Sequence, residues 1–203
     1  MQKVFDAKER PLSDPLIVHV TRSEDALMLW DASSSASIVA DETAGHSMQQ
    51  QQQQMIEKRA LSTLTQSFFP GPLTLVARAH PSVPQILMAN TGYVACRSPS
   101  HPVARALINA AKCPIAAPSA NKFGHVSPTM AQHVMDDLGG EDVWVVDPSL
   151  EMDNNMNGMN GQDEQQAAAS VCQVGVESTV AKIQMNESSS SSTNIVGSIT
   201  ILR

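Results

Sequence analysis

Aromatic side chains are scarce in this sequence. They make up 3% of its 203 residues, against 42% for apolar residues as a whole. A core must therefore be aliphatic, with the eleven methionines as further filling. Cysteine is sparse as well. Cys96, Cys113 and Cys172 are odd in number and lack CxxC spacing, which indicates neither a disulfide framework nor a zinc site. Buried, reduced thiols in a cytoplasmic protein are expected. No run approaches the roughly 18 apolar residues a membrane span needs, and no secretory signal is visible. Positive charge is also short: 13 Lys and Arg stand against 20 Asp and Glu, for a net charge of −7. Between Lys122 and Lys182 there is no Lys or Arg. That balance has the wrong sign for a protein living on a nucleic-acid backbone. The basic residues recur beside short motifs instead, at Lys8, Arg10, Arg97, Lys122 and Arg203, which suits a focused small-anion site.

What is present is an alternation of short strands and helices at single-domain length. Val4 to Ala7 reads as the end of a helix stopped by Pro11, and Leu16 to Val20 as a buried strand. A helix is predicted from Ser23, as N-cap, to Trp30, and another over Met55 to Phe68, ended by Pro70-Gly71-Pro72. Strands are predicted at Leu73 to Ala77, Tyr93 to Arg97, Pro114 to Ala117, Val143 to Val146, Val174 to Ile183 and Ile199 to Leu202. Further helices are predicted at Val83 to Met88, Val103 to Ala111 and Met130 to Leu138. Three low-complexity segments, 43–55 with its six glutamines, 149–170 and 186–194, are expected to be disordered insertions. The whole reads as one α/β (α+β) domain over residues 1–203.

The most informative stretch is Ala116 to Thr129, AAPSANKFGHVSPT, a strand-like lead into a polar loop and then a helix. Ser127 fits an N-cap and Pro128 the first helical position. Amides in such a loop and at a helix start can hold a phosphate or carboxylate. Other short motifs keep it company. Lys8-Glu9-Arg10-Pro11 puts two cations ahead of a strand, where a helix C-terminus favouring positive charge is the plainer explanation. Arg97, before His101-Pro102, offers a guanidinium suited to bidentate recognition of an anion or to a surface ion pair. Pro70-Gly71-Pro72-Leu73-Thr74 and Gly175-Val176-Glu177-Ser178-Thr179 are each, alone, turns into strands.

In this order, the signatures KxRP…PLIVH, PGPLT, RxPxHP, APSAN…SPT and GVEST resemble the YrdC-like family of threonylcarbamoyl-AMP synthases. The resemblance spans residues 3 to 183. It implies a YrdC-like twisted, open, mixed β-sheet flanked by helices. It also implies condensation of L-threonine, bicarbonate or carbon dioxide, and ATP into L-threonylcarbamoyl-AMP and pyrophosphate, for threonylcarbamoyladenosine modification of tRNA. No covalent nucleophile is needed. Lys8 and Arg10 would stabilise phosphate charge, helped by Mg²⁺ accompanying ATP. Position by position, the resemblance implies that Lys8, Arg10, Asp14, Tyr93, Ser119, Ser127 and Arg203 bind ATP. His19, Arg97, Ala117 (through its backbone) and Ser178 would bind threonine. Tyr93 stands where relatives often carry a small hydroxyl residue.

The family's first strand and its Pro-Thr-Glu-Thr-x-Tyr-Gly segment have no counterpart upstream of Lys8, so the chain reads as incomplete at its N-terminus. Partners implied are the small-molecule substrates, the downstream threonylcarbamoyl transferase machinery and, weakly, double-stranded RNA or tRNA. A non-catalytic RNA-binding or interaction paralogue of the same fold is the alternative, and the net charge of −7 weighs against the RNA form of it.

Overall fold

Alternating buried and half-buried residues in the short apolar runs build one sheet with one covered face. A computed structural model describes residues 1–31, 48–147, 178–185 and 197–202. Its strands are β1 (Ile17–His19), β2 (Leu73–Arg78), β3 (Tyr93–Arg97), β4 (Ile115–Ala116), β5 (Thr179–Met185) and β6 (Gly197–Ile201). Its α-helices are α1 (Gln2–Ala7), α2 (Ser23–Leu29), α3 (Met48–Phe68), α4 (Pro102–Ala111) and α5 (Ala131–Leu138), with a 3-10 turn at Gln85–Leu87. The six strands run in the order β4-β1-β3-β2-β5-β6. β1 and β3 are parallel, as are β2 and β5, and the other neighbours are antiparallel, so the sheet is open and mixed.

Register decides which side chains go inside. Ala116, Val18, Cys96, Leu75 and Ala181 stand in one row across five strands. All five belong to, or pack against, the core. Because side chains alternate across a strand, the flanking rows fall on the opposite face. Those rows are Ile17, Ala95, Val76 and Lys182 on one side, and His19, Arg97, Thr74 and Val180 on the other. The covered face meets Ala26 and Trp30 from the α2 segment and Leu61 from α3, with Phe5 of α1 beside them. Trp30 is the largest fully buried side chain among the described residues, and its indole N–H donates to the Val94 carbonyl at 3.1 Å. Burial of the Cys96 thiol pushes its pKa far up, so it serves as a small apolar filler.

Several expectations need correction. The glutamines Gln49 to Gln54 lie in the first turns of α3, which begins at Met48, rather than in a disordered insertion. Glutamine is a good helix former, and the apolar positions downstream give the helix a packed end to extend from. Residues 43–47, 149–170 and 186–194 lie outside the described residues, as does 174–177 of the expected Val174 strand. The core is aliphatic as expected but not methionine-rich. Met88 joins it, while Met1, Met28, Met55, Met130 and Met135 are exposed. Cys113 is exposed, not buried, and Cys172 is outside the described residues. Val143 to Val146 forms no strand. Trp144 there is 95% exposed, because the stretch reaches no sheet edge on which an alternating pattern could be buried. α5 starts at Ala131 with Met130 as its N-cap, one residue beyond the expected Met130 and three beyond the start that Ser127 and Pro128 suggested. α2 starts at Ser23 with Arg22 as its N-cap, a one-residue difference of the kind helix ends show.

The row of core residues makes a direct test. Leu75→Ala, at a site with no exposure, is expected to cost about 2–5 kcal/mol. Val126→Ala, at an 88% exposed site, should stay within about 0.5 kcal/mol. Urea unfolding of the two variants beside the parent chain checks the contrast.

Candidate functional site

The face of the sheet opposite the core row carries polar side chains at the C-terminal end of β1, and a second polar group forms where the chain enters β1. At the C-terminal end of β1, His19 is paired in register with Arg97 of β3, and Arg97 with Thr74 of β2. Ser178 stands at the start of β5, and its hydroxyl lies 3.2 Å from that of Thr74, both residues buried. Sequence motifs singled out Ser178 but not Thr74. The PGPLT motif contained it, yet only the parallel β2–β5 pairing brings the two hydroxyls together.

His19 and Arg97 are each half-buried on this row. Burial pushes the His19 pKa down, and the neighbouring Arg97 charge pushes it further, so the ring is held neutral. Its Nδ1 is buried without a hydrogen-bond partner among the described residues. A buried nitrogen in that state favours a ligand that brings it a partner. Arg97 is oriented by the Gly71 carbonyl, which accepts from its Nε at 3.4 Å. Gly71 is itself fixed: its N–H donates to the Ser98 carbonyl at 2.8 Å, and an added Cβ would lie 2.5 Å from the Phe68 carbonyl oxygen. Only glycine lets the PGP turn come this close.

The other end is built where the chain arrives at β1 and leaves β4. Ala117 follows β4 and donates its N–H to the Ile17 carbonyl at 3.0 Å. The loop beyond it is strapped to the segment after α1 by three contacts. Lys8 Nζ donates to the Ser119 carbonyl at 2.6 Å, Phe123 N–H to the Lys8 carbonyl at 2.9 Å, and Lys122 Nζ pairs with Glu9 at 2.6 Å. Lys8 is 5% exposed, and burial together with the adjacent Arg10 charge lowers its pKa. Arg10 pairs with Asp14 at 3.0 Å and donates to the Pro15 carbonyl at 2.8 Å, with its guanidinium 6.0 Å from the Phe123 ring centroid.

Asn121 donates from Nδ2 to the Lys122 and His125 carbonyls, while its Oδ1 is buried without a partner among the described residues. Asp137 on α5 accepts from the Lys122 N–H and lies 2.9 Å from His125 Nδ1. Those contacts dock α5 on the loop, and the helix begins where they place it rather than at Ser127. Ser127 is half-buried in the segment between them.

β3 joins the two ends. Ala95 is opposite Ile17, so Tyr93 lies toward the Arg10 end and Arg97 at the His19 end, separated by about 13 Å of extended chain. The residues expected to bind nucleotide (Lys8, Arg10, Asp14, Tyr93 and Ser119) gather at one end. Of those expected to bind threonine, His19, Arg97 and Ser178 gather at the other, while Ala117 lies at the N-terminal end of β1, bonded to Ile17. Arg203 lies outside the described residues.

The neutral state of His19 carries a pH signature. Below its ordinary pKa of 6.5, the unfolded chain takes up a proton at this residue that the folded one resists. Stability is therefore present above that value and lost as pH falls through it. The unfolding free energy of the parent chain relative to His19→Asn should decline between about pH 8 and about pH 5. Urea titrations of both proteins across that range would show a constant difference if the ring were not held neutral.

Comparison with known proteins places the chain in a family. The Sua5/YciO/YrdC family model, described as telomere recombination, matches residues 1–157. The chain is similar to threonylcarbamoyl-AMP synthases of Pyrococcus abyssi (35% identical, over 72% of this chain and 36% of that one) and Schizosaccharomyces pombe (37%, over 87% and 38%). That of Bacillus subtilis is 38% identical over 72% of this chain and 36% of its own. Among solved structures, P. abyssi Sua5 complexed with L-threonine aligns with a TM-score of 0.62 at 31% identity, covering 89% of this chain and 40% of that one. A double-substituted variant of the same protein aligns at 0.63 and 30% identity, covering 89% and 42%. The chain spans little more than a third of the length of the curated relatives it matches. With a family model covering most of its length and the sheet of its solved relatives, the chain belongs to the Sua5/YciO/YrdC family.

Proposed function

We propose that this domain makes L-threonylcarbamoyl-AMP from L-threonine, bicarbonate or carbon dioxide, and ATP, with release of pyrophosphate. The observation that carries the reading is the separation of polar residues into two groups at the two ends of β1, His19 with Arg97 and Thr74 at one and Lys8, Arg10, Asp14 and Ser119 at the other. An amino acid and a nucleotide can lie along β1 and meet in the middle. The names of the similar proteins, and the threonine held by one of them, support the same assignment.

In this reading Arg97 grips the threonine carboxylate. Neutral His19 receives a hydrogen bond from the amino acid and adds no second positive charge beside Arg97. The Ala117 backbone and Ser178 close the amino-acid pocket. The threonine amine captures carbon dioxide as a carbamate. A carbamate oxygen then bonds to the α-phosphorus as the bond to the β-phosphate breaks and pyrophosphate departs. The protein's part is orientation and charge stabilisation. Lys8 and Arg10 hold the phosphate end, with Asp14, Tyr93, Ser119, Ser127 and Arg203 completing the nucleotide contacts.

Among the described residues no group of three or more His, Cys, Asp or Glu could hold a metal ion. Mg²⁺ fits as the partner of the ATP phosphates, since it keeps waters and substrate oxygens as ligands. No described helix is long and apolar enough to cross a membrane. Supply of the product to a cytoplasmic tRNA-modifying transferase completes the proposal.

The chain should release pyrophosphate from ATP only when threonine and bicarbonate are both present; no such release would overturn the reading. Arg97→Ala should raise the threonine KM by about 10- to 100-fold. Ser119→Ala should have a much smaller effect, because the Ser119 carbonyl that holds Lys8 is untouched. Equal effects would mean that the division into two subsites is wrong.

A further inference from the structure

Lys182 is a cation that the sequence motifs did not mark. It stands on β5 opposite Val76 of β2, in the row that faces away from the core. Its ammonium lies 3.8 Å from the centroid of the Tyr93 ring on β3. To reach β3 from β5 the side chain must cross β2, so its charge is carried inward over the face opposite the core row. Tyr93 is itself the residue of β3 nearest the Arg10 end.

Three cations toward that end are already held by the protein. Lys8 donates to a carbonyl, Arg10 is paired with Asp14, and Lys122 is paired with Glu9. Lys182 has no carboxylate or carbonyl partner among the described residues, and rests only on an aromatic face. A cation–π contact orients an ammonium while leaving N–H donors free, and it is weaker than a charge-assisted hydrogen bond. Such a group can turn to an incoming anion at little cost.

We propose that Lys182 is a further nucleotide-positioning residue, presented by the Tyr93 ring to the polyphosphate of a nucleoside triphosphate. This rests on the nucleotide reading above. It gives Tyr93 a different part from a hydroxyl contact: the ring acts as a platform for the ammonium, and the phenol oxygen is dispensable.

Calorimetric titration of the full chain with Mg·ATP tests the assignment. Lys182→Met and Tyr93→Leu should each weaken binding about tenfold. Lys182→Arg and Tyr93→Phe should stay within about twofold of the parent, since charge and ring are kept. Threonine affinity should be unchanged in all four, which a merely structural role would not predict. Tyr93 is the single tyrosine of the chain, so a ring-labelled sample gives one tyrosine signal, which should move on adding ATP in the parent. Parent-like ATP binding by Lys182→Met, or a loss in Tyr93→Phe as large as in Tyr93→Leu, would overturn this inference alone. A parent chain that binds no ATP would overturn the nucleotide reading with it.

Discussion

The parallel pairing of β1 with β3 is the constraint on which the rest of the molecule depends. It sets His19 opposite Arg97 and Val18 opposite Cys96. A slip of one residue in β1 would turn that strand over, sending His19 toward the core and Val18 away from it. The covered row is apolar on every strand it crosses, and the opposite rows carry the polar groups. Burial of the first therefore fixes the address of the second. Hydrophobic packing and site assembly are two consequences of one register.

The two polar groups are completed by contacts distant in sequence. Lys8 reaches Ser119 across 111 residues, and Thr74 reaches Ser178 across 104. Each costs ordering entropy that the local segment could not recover alone. The scaffold places the partners first, and short polar contacts then hold loops whose own sequences are small and hydroxyl-rich. Buried groups left without a partner, His19 Nδ1 and Asn121 Oδ1, fall in these same loops and rows rather than among the apolar residues. They mark where a polar ligand would relieve an unpaired atom.

Legibility followed the range of the interaction involved. Compact apolar runs such as Leu16 to Val20 and Tyr93 to Arg97 were readable as strands, because alternation is local. The fold class and the family motifs were readable for the same reason. Val143 to Val146 has the composition of a strand but no neighbouring edge to join. The glutamine run has no apolar stripe, yet it continues a helix whose downstream residue Leu61 is buried. Ser127-Pro128 has the local chemistry of a helix start, but Asp137 ties α5 to Lys122 and His125 and the helix begins at Ala131. At Ser127-Pro128 a tertiary contact outweighed a local preference of about 1 kcal/mol.

The sequence by itself determined the class of the fold, the family, and the inventory of candidate residues around Lys8, Arg10, His19, Arg97, Ser119 and Ser178. Those depend on residue type and short spacing, which a linear chain records. Only the tertiary structure decided that these residues divide between the two ends of β1. It alone brought Thr74 to Ser178, and Lys182 from an unremarked strand position to the ring of Tyr93. The physical reason is strand pairing: neighbours across a sheet are chosen by hydrogen-bond register and by burial of the opposite face, and no local spacing encodes either.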